Sequence, residues 1–233
     1  PWRSDQFEEG DYQPEDAVKS LYEPKTLLDI FRYFVFYEEN QSKIVPRYMQ
    51  YHATEKILNR IKEGEPKKGL IWHTQGSGKS YTMLFAAYKA KKSPNIEDSQ
   101  YLLIVDRKKL DDQMADTLAA IDFPSYTVAQ NIDHLGELLG ENKAQLILTT
   151  IHKFGGVDDE VKADVDLDTV VMVDEAHRYM EEKLGNKLKA ALPDAFYFGF
   201  TGTPVKEGDN LEDRNTFREF SPTEDEGYLH RYS

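Results

Sequence analysis

Apolar positions along this chain recur first at helical spacing and then in short unbroken runs, and the change of period divides the sequence in two. After Pro24, the residues Leu27, Leu28, Phe31, Phe34 and Val35 fall on a helical repeat, and 51–61 gives a second helix ahead of the breaker Gly64-Glu65-Pro66. Beyond that point strands and helices alternate. The pattern predicts strands over 69–73, 101–105, 126–129, 145–149, 169–173 and 195–200. Helices are predicted over 79–91, 108–120, 132–139 and 182–191, with a turn at Gly155-Gly156. Runs such as Leu102-Leu103-Ile104-Val105 and Val170-Val171-Met172-Val173 have no polar side, as expected of parallel strands covered by helices on both faces. Strand-helix repetition then implies an α/β fold with a mostly parallel central sheet flanked by helices and right-handed crossovers. In such sheets ligands bind at the carboxyl ends of the strands.

Composition narrows the class without naming a partner. The 233 residues are 39% hydrophobic and 12% aromatic, enough for a packed core, and no apolar run nears the roughly 18 residues that would span a bilayer. We therefore expect a soluble protein with no membrane partner. Pro1 is followed by polar residues, with neither an initiating Met nor a leader-like stretch, which reads as a segment cut from something longer. Cysteine is absent, which rules out disulfides and thiolate zinc sites and is compatible with a cytoplasmic setting. The six histidines have no metal-ligand spacing.

A net charge of -13 argues, on its own, against binding a polyanion. That charge is concentrated at the ends. Residues 1–16 hold six acids against one arginine, and 206–226 hold eight acids against three bases. The interior is nearer balance, so a local basic face remains open. We accordingly expect a polar acidic arm over 1–22, one folded lobe over 23–205 with its preceding helices, and an acidic tail over 206–233.

The chemistry-bearing residues sit at strand ends. Leu70-Ile71-Trp72-His73 runs into Thr74-Gln75-Gly76-Ser77-Gly78-Lys79-Ser80 and then a helix, the context a P-loop requires. Gly76 and Gly78 let backbone N–H groups around Ser77 turn toward phosphate oxygens, and the helix start adds partial positive charge. Lys79 would bridge the β and γ phosphates of ATP, and the Ser80 hydroxyl would ligate Mg2+. His73 stands where the strict pattern has glycine, which disfavours a loop of the adenylate-kinase or GTPase type. About a hundred residues on, Val170–Val173 ends in Asp174-Glu175-Ala176-His177. Asp174 would hold the Mg2+, through water, and Glu175 would deprotonate the attacking water.

Each feature has a plainer reading when taken singly. Glycine turns precede many helices, paired acids favour a helix start, and the Thr201-Gly202-Thr203-Pro204 that closes the next strand could be only a turn. Their order along the chain, each at a strand end, is what favours a nucleotide site.

In that order G-S-G-K-S, D-E-A-H and T-G-T-P resemble motifs I, II and III of superfamily 2 helicases and translocases, over roughly 47–204. Further segments sharpen the likeness: Arg47-Tyr48-Met49-Gln50-Tyr51, Val105-Asp106-Arg107-Lys108-Lys109-Leu110-Asp111-Asp112-Gln113, and Thr149-Thr150-Ile151-His152-Lys153-Phe154. With Trp72–Ser80 they are similar to the motor of the restriction (R) subunit of type I restriction endonucleases. The ends Asp29-Ile30-Phe31-Arg32-Tyr33-Phe34 and Tyr228-Leu229-His230-Arg231-Tyr232-Ser233 also look like that subunit's first lobe.

The resemblance implies a RecA-like P-loop NTPase domain, the first of two lobes that close on ATP and step along double-stranded DNA. It implies that Gln50 reads the adenine edge, that His177, Thr201, Gly202 and Thr203 couple the ATP site to the DNA track, and that Arg107, Thr150 and Lys153 touch the DNA backbone. It further implies methylation and specificity subunits as partners, a nuclease domain of the PD-(D/E)xK type upstream and a second lobe supplying arginines. Neither is visible in this sequence. Three other readings stay open: an RNA-acting or remodelling relative, a P-loop phosphotransferase or switch protein, and a degenerate lobe serving only assembly.

Overall fold

The computed structural model describes residues 14–37, 42–94, 96, 98–105, 108–121, 123–141, 143–150, 153, 168–179, 184–204, 216–221 and 227–232. The six predicted apolar strands form one sheet with a seventh that the sequence pattern does not predict: β3 (Lys68–His73), β4 (Gln100–Val105), β5 (Tyr126–Val128), β6 (Leu146–Thr150), β7 (Thr169–Val173) and β8 (Phe196–Thr201), joined by β9 (His230–Tyr232). Among the described residues their spatial order is β5-β6-β4-β7-β8-β3-β9, every pair parallel. All seven carboxyl ends therefore lie along one edge.

Period-two alternation divides each strand between two cores. Ile71, Leu103, Met172 and Phe198 pack with Ile57, Leu58, Met83 and Leu84 from α3 (Tyr48–Glu63) and α4 (Lys79–Lys91), and with Met114 and Leu118 from α5 (Lys108–Ala120). Their neighbours Leu70, Leu102, Val171 and Tyr197 face the other way. There they meet Leu135 and Leu138 of α6 (Ile132–Gly140), Ala176 of the short α7 (Ala176–Tyr179), Leu188 of α8 (Leu184–Ala191) and Phe220 of α9 (Thr216–Phe220). Burial on both faces is why these strands carry no polar side.

Ahead of the sheet stand α1 (Pro14–Tyr22), α2 (Pro24–Tyr33) and a two-residue antiparallel pair, β1 (Phe36–Tyr37) with β2 (Lys43–Ile44). Ile30, Phe34, Phe36, Tyr51 and Phe85 make a third core that docks this unit on α3 and α4. Lys89 fastens the same junction: its Nζ donates to Asp29 and Glu55, each at 2.5 Å, and lies 5.3 Å from the centre of the Phe34 ring. A cation that is only 7% exposed needs such partners, since burying it unpaired is costly.

Three expectations need correcting. The arm expected over 1–22 is helical from Pro14, beginning on the proline, whose fixed φ suits a helix start. On α2 the apolar repeat does not all turn inward: Leu28 and Phe31 are exposed, and the buried face is formed by Thr26, Ile30 and Phe34. The boundary at 205 also fails structurally, because α9 and β9 from the expected tail pack on the sheet, with Phe220 1% exposed and β9 paired to β3. Charge counting hid this, since the acids there are interleaved with Phe217, Phe220, Leu229 and Tyr232. The turn expected at Gly155-Gly156 lies outside the described residues. Among those residues no helix is long and apolar enough to cross a membrane.

Candidate functional site

The β3 strand delivers the chain to the carboxyl edge at His73, and α4 starts at Lys79. Between them Gly76 and Gly78 take φ of 77° and 82°, left-handed values that cost glycine nothing and other residues much. Gly78 is the N-cap of α4 and brings no side-chain cap, so the first amides of the helix are left for an external acceptor. A Cβ at Gly78 would also stand 2.5 Å from Gln50 Nε2. Two buried residues of this cradle carry polar groups with no partner among the described residues. Ser77 Oγ is buried with no hydrogen bond, and Lys79, 8% exposed, has no ion-pair partner among the described residues. An unsatisfied buried hydroxyl and a cation with no ion-pair partner among the described residues, both beside uncapped helix amides, fit a polyanion. Ser80, half-buried, is the second residue of α4.

The second wall comes from β7. Val173 pairs with Gly199 on β8, and on the other side of β8 Phe200 pairs with Ile71 of β3. Asp174, the next residue, thus lies level with Phe200 and Ile71, two residues short of the end of β3, with one strand between, roughly 10 Å across at ordinary strand spacing. It is 7% exposed, and its Oδ1 accepts the Glu175 N–H at 3.0 Å. Glu175 has φ of 49°, a left-handed value unusual for a residue with a side chain. Such strain gathers at working sites.

The β8 end joins the two walls. A Cβ at Gly202 would meet Gln75 N at 3.3 Å, His73 O at 3.4 Å and Lys79 Nζ at 3.6 Å, so the T-G-T-P turn lies directly on the P-loop. Thr201 Oγ1 accepts the Thr203 N–H at 3.1 Å and lies 3.0 Å from His177 Nδ1. That imidazole nitrogen is 3.4 Å from Glu175 Oε2. Glu175, His177, Thr201 and Thr203 therefore form one polar chain, and Gly202 within it lies close to Lys79.

The remaining predicted residues divide. Gln50 reaches the loop, where its Nε2 donates to the carbonyls of Ser77 (3.3 Å) and Gly78 (3.0 Å) while its Oε1 accepts Arg47 N–H (2.8 Å). Both ends of the amide are engaged by protein. Thr150 and Lys153 stand at the β6 end of the sheet, separated from β3 by β4, β7 and β8. The Lys153 ammonium donates to Ala129 O. Arg107 lies outside the described residues.

Sequence reasoning missed the contribution of β9. His230 Nδ1 sits 2.6 Å from His73 Nε2, both rings buried, and Tyr232 O accepts the Thr74 N–H at 3.1 Å. Burial, then the neighbouring His230 and Lys79, hold the His73 imidazole down at about 3, so it is neutral near pH 7. Besides the likeness of 228–233 to the relative's lobe, the signal available was the lone His73 in the loop's first position, where a buried imidazole requires a partner.

Comparison with known proteins agrees with this geometry. The family model described as SWI2/SNF2 ATPase matches residues 49–233. The type I restriction enzyme HindI endonuclease subunit of Haemophilus influenzae is 32% identical over 88% of this chain and 22% of its own length. The corresponding SsaAORF53P subunit of Staphylococcus saprophyticus is 30% identical over 79% of this chain and 20% of its own. The chain thus spans about a fifth of the length of these relatives. Among solved structures, the Sulfolobus solfataricus SWI2/SNF2 ATPase core in complex with dsDNA superposes with a TM-score of 0.53 at 20% identity, covering 74% of this chain and 35% of that one. The UvsW helicase of bacteriophage T4 gives 0.51 at 18%, covering 81% and 63%. These two likenesses establish the fold alone, a RecA-like one with a mostly parallel sheet between helices. Because the matching family model runs from the third helix through the last strand of the sheet, the chain belongs to the SWI2/SNF2 ATPase family.

Proposed function

We propose that this chain is the first motor lobe of a DNA-translocating ATPase of the type I restriction R-subunit kind, working in the cytoplasm with a second lobe. The observation that carries this is the meeting of three strand ends: Gly202 against Lys79, with Glu175 joined to the same turn through His177 and Thr201. On this reading the loop amides from Gly76 to Lys79 and the start of α4 hold the triphosphate, and Lys79 pairs with its β and γ phosphates. Ser77 Oγ, unpartnered in the protein, gains an acceptor there. The Ser80 hydroxyl and Asp174 would hold Mg2+, Asp174 through water. When bound, that ion offsets the charge of the β- and γ-phosphate oxygens. Among the described residues no group of three or more His, Asp or Glu is gathered, which suits an ion held largely by phosphate oxygens and water rather than by a protein cage. Glu175 takes the proton of the attacking water. The adenine-reading role of Gln50 requires its amide to share or leave its bonds to Ser77 and Gly78.

The polar chain from Glu175 to Thr203 couples hydrolysis to the neighbouring face of the lobe. Arg107, Thr150 and Lys153 are proposed phosphate contacts, which position a duplex without reading it. Lys153 would have to exchange its bond to Ala129 for one to DNA. Methylation and specificity subunits are the proposed assembly partners, on the resemblance alone; the relatives' names give an endonuclease subunit of a type I restriction enzyme. The test is hydrolysis by a version of this protein that includes the second lobe, with duplex DNA and duplex RNA of equal length. Stimulation by DNA alone supports the proposal; stimulation by RNA alone assigns the lobe to an RNA-acting relative instead.

A further inference from the structure

Strand order dictates where the nucleoside of a bound nucleotide must go. The acids proposed to face the terminal phosphate, Asp174 and Glu175, follow β7, and the P-loop follows β3, with β8 between. A triphosphate lying on the loop with its γ end toward β7 has its α end, and the sugar and base beyond it, directed to the opposite side of β3. On that side lies β9. The β9 strand ends beside the loop, since Tyr232 O takes the N–H of Thr74, the first residue after β3. Its ring meets the Tyr48 ring edge to face, with centroids 5.7 Å apart and planes at 83°. Tyr48 opens α3, two residues before the Gln50 that grips Ser77 and Gly78. Both tyrosines are partly exposed, whereas the imidazole behind them, His73, is fully buried.

We infer that Tyr48 and Tyr232 form the base-holding corner of the nucleotide site, so that β9 contributes a substrate contact. Two ring surfaces at right angles receive a flat heterocycle by stacking on one and edge contact with the other. Gln50, with both ends of its amide bonded to protein, leaves the tyrosines as the main source of base affinity in this arrangement. The inference rests on the proposed nucleotide site and adds to it which residues meet the base.

Inorganic tripolyphosphate separates the two ideas, because it carries the phosphates without the base. Calorimetric titration of the 233-residue chain in Mg2+ would compare ATP and tripolyphosphate for the unaltered protein, Tyr48→Ala, Tyr232→Ala, Tyr232→Leu and Tyr232→Phe, with thermal melts confirming that each folds. Aromatic stacking on a base is worth about 1–3 kcal/mol, so the alanine and leucine variants should bind ATP roughly 5- to 150-fold more weakly. Tripolyphosphate binding should be unchanged in all of them, and Tyr232→Phe should hold ATP normally. Folded Tyr232→Leu binding ATP as well as the unaltered chain overturns the inference. So does equal weakening of both ligands, which would mean that the ring only props the loop. If the unaltered chain bound neither ligand, the nucleotide site itself would be wrong; tripolyphosphate binding without any gain from the nucleoside would overturn only the base corner.

Discussion

On the proposed reading Lys79 and Glu175 differ in what their loss should do, because one meets charge already present in the ground state and the other acts when water attacks. Charge-assisted hydrogen bonds contribute about 1.5–3 kcal/mol, so Lys79→Ala should weaken Mg-ATP binding roughly 10- to 150-fold in a nucleotide titration. Glu175→Gln keeps shape and removes the base. It should bind ATP within about threefold of normal yet hydrolyse it some 10²- to 10⁴-fold more slowly, measured with the second lobe present. Normal turnover by the glutamine variant would remove Glu175 from its assigned role. His73 makes a separate prediction. Its folded value of about 3 lies below the free value of 6.5, so the unfolded chain binds the extra proton between them. Stability is then fully present above pH 6.5 and falls as the pH drops toward 3, by up to about 1.4 kcal/mol per unit. Denaturant unfolding at pH 7.5 and 5.5 should show this loss, and His73→Gln should flatten it. An unchanged slope in that variant would place the acid sensitivity elsewhere.

Among the elements, the strands and helices that pack both faces of the sheet were readable in advance, since continuous apolar runs and 3.6-residue repeats follow from double-sided burial. P-loop, D-E-A-H and T-G-T-P were readable for the same reason: each is a short segment pinned to a strand end, and the order of strands in a parallel sheet collects them at one edge. What escaped was decided by pairing at a distance. Three residues of β9 carry too little pattern to announce a strand, and its partner β3 lies more than 150 positions away in the register Ile71 to His230. Likewise α9 is five residues long and surrounded by acids, yet Phe220 packs so closely on β8 that a Cβ at Gly199 would meet its ring at 2.6 Å. Truncating Phe220 to alanine should cost about 3–5 kcal/mol in denaturant unfolding, as for other buried aromatic residues. A change below about 0.5 kcal/mol would show that α9 adds little to the lobe.

For the molecule as a whole, one lobe under the proposed function holds the phosphate cradle and both acids but faces the transferring phosphate from one side only. Arginines supplied from elsewhere are worth ~10³–10⁵ in rate in related phosphoryl-transfer enzymes. The 233-residue chain alone should therefore turn ATP over slowly and respond little to duplex DNA, in a coupled phosphate-release assay. Full DNA-stimulated turnover by this chain alone would contradict the two-lobe proposal. The attachment of β9 has a mechanical corollary. A strand joined in parallel to its neighbour and drawn along its own axis is loaded in shear, so its hydrogen bonds share the tension instead of opening one after another. The last of them joins Tyr232 to Thr74. Force applied to the polypeptide at Tyr232 would thus reach the loop's leading residue through a single bond, and a tug there would register as a displacement of the backbone that cradles phosphate.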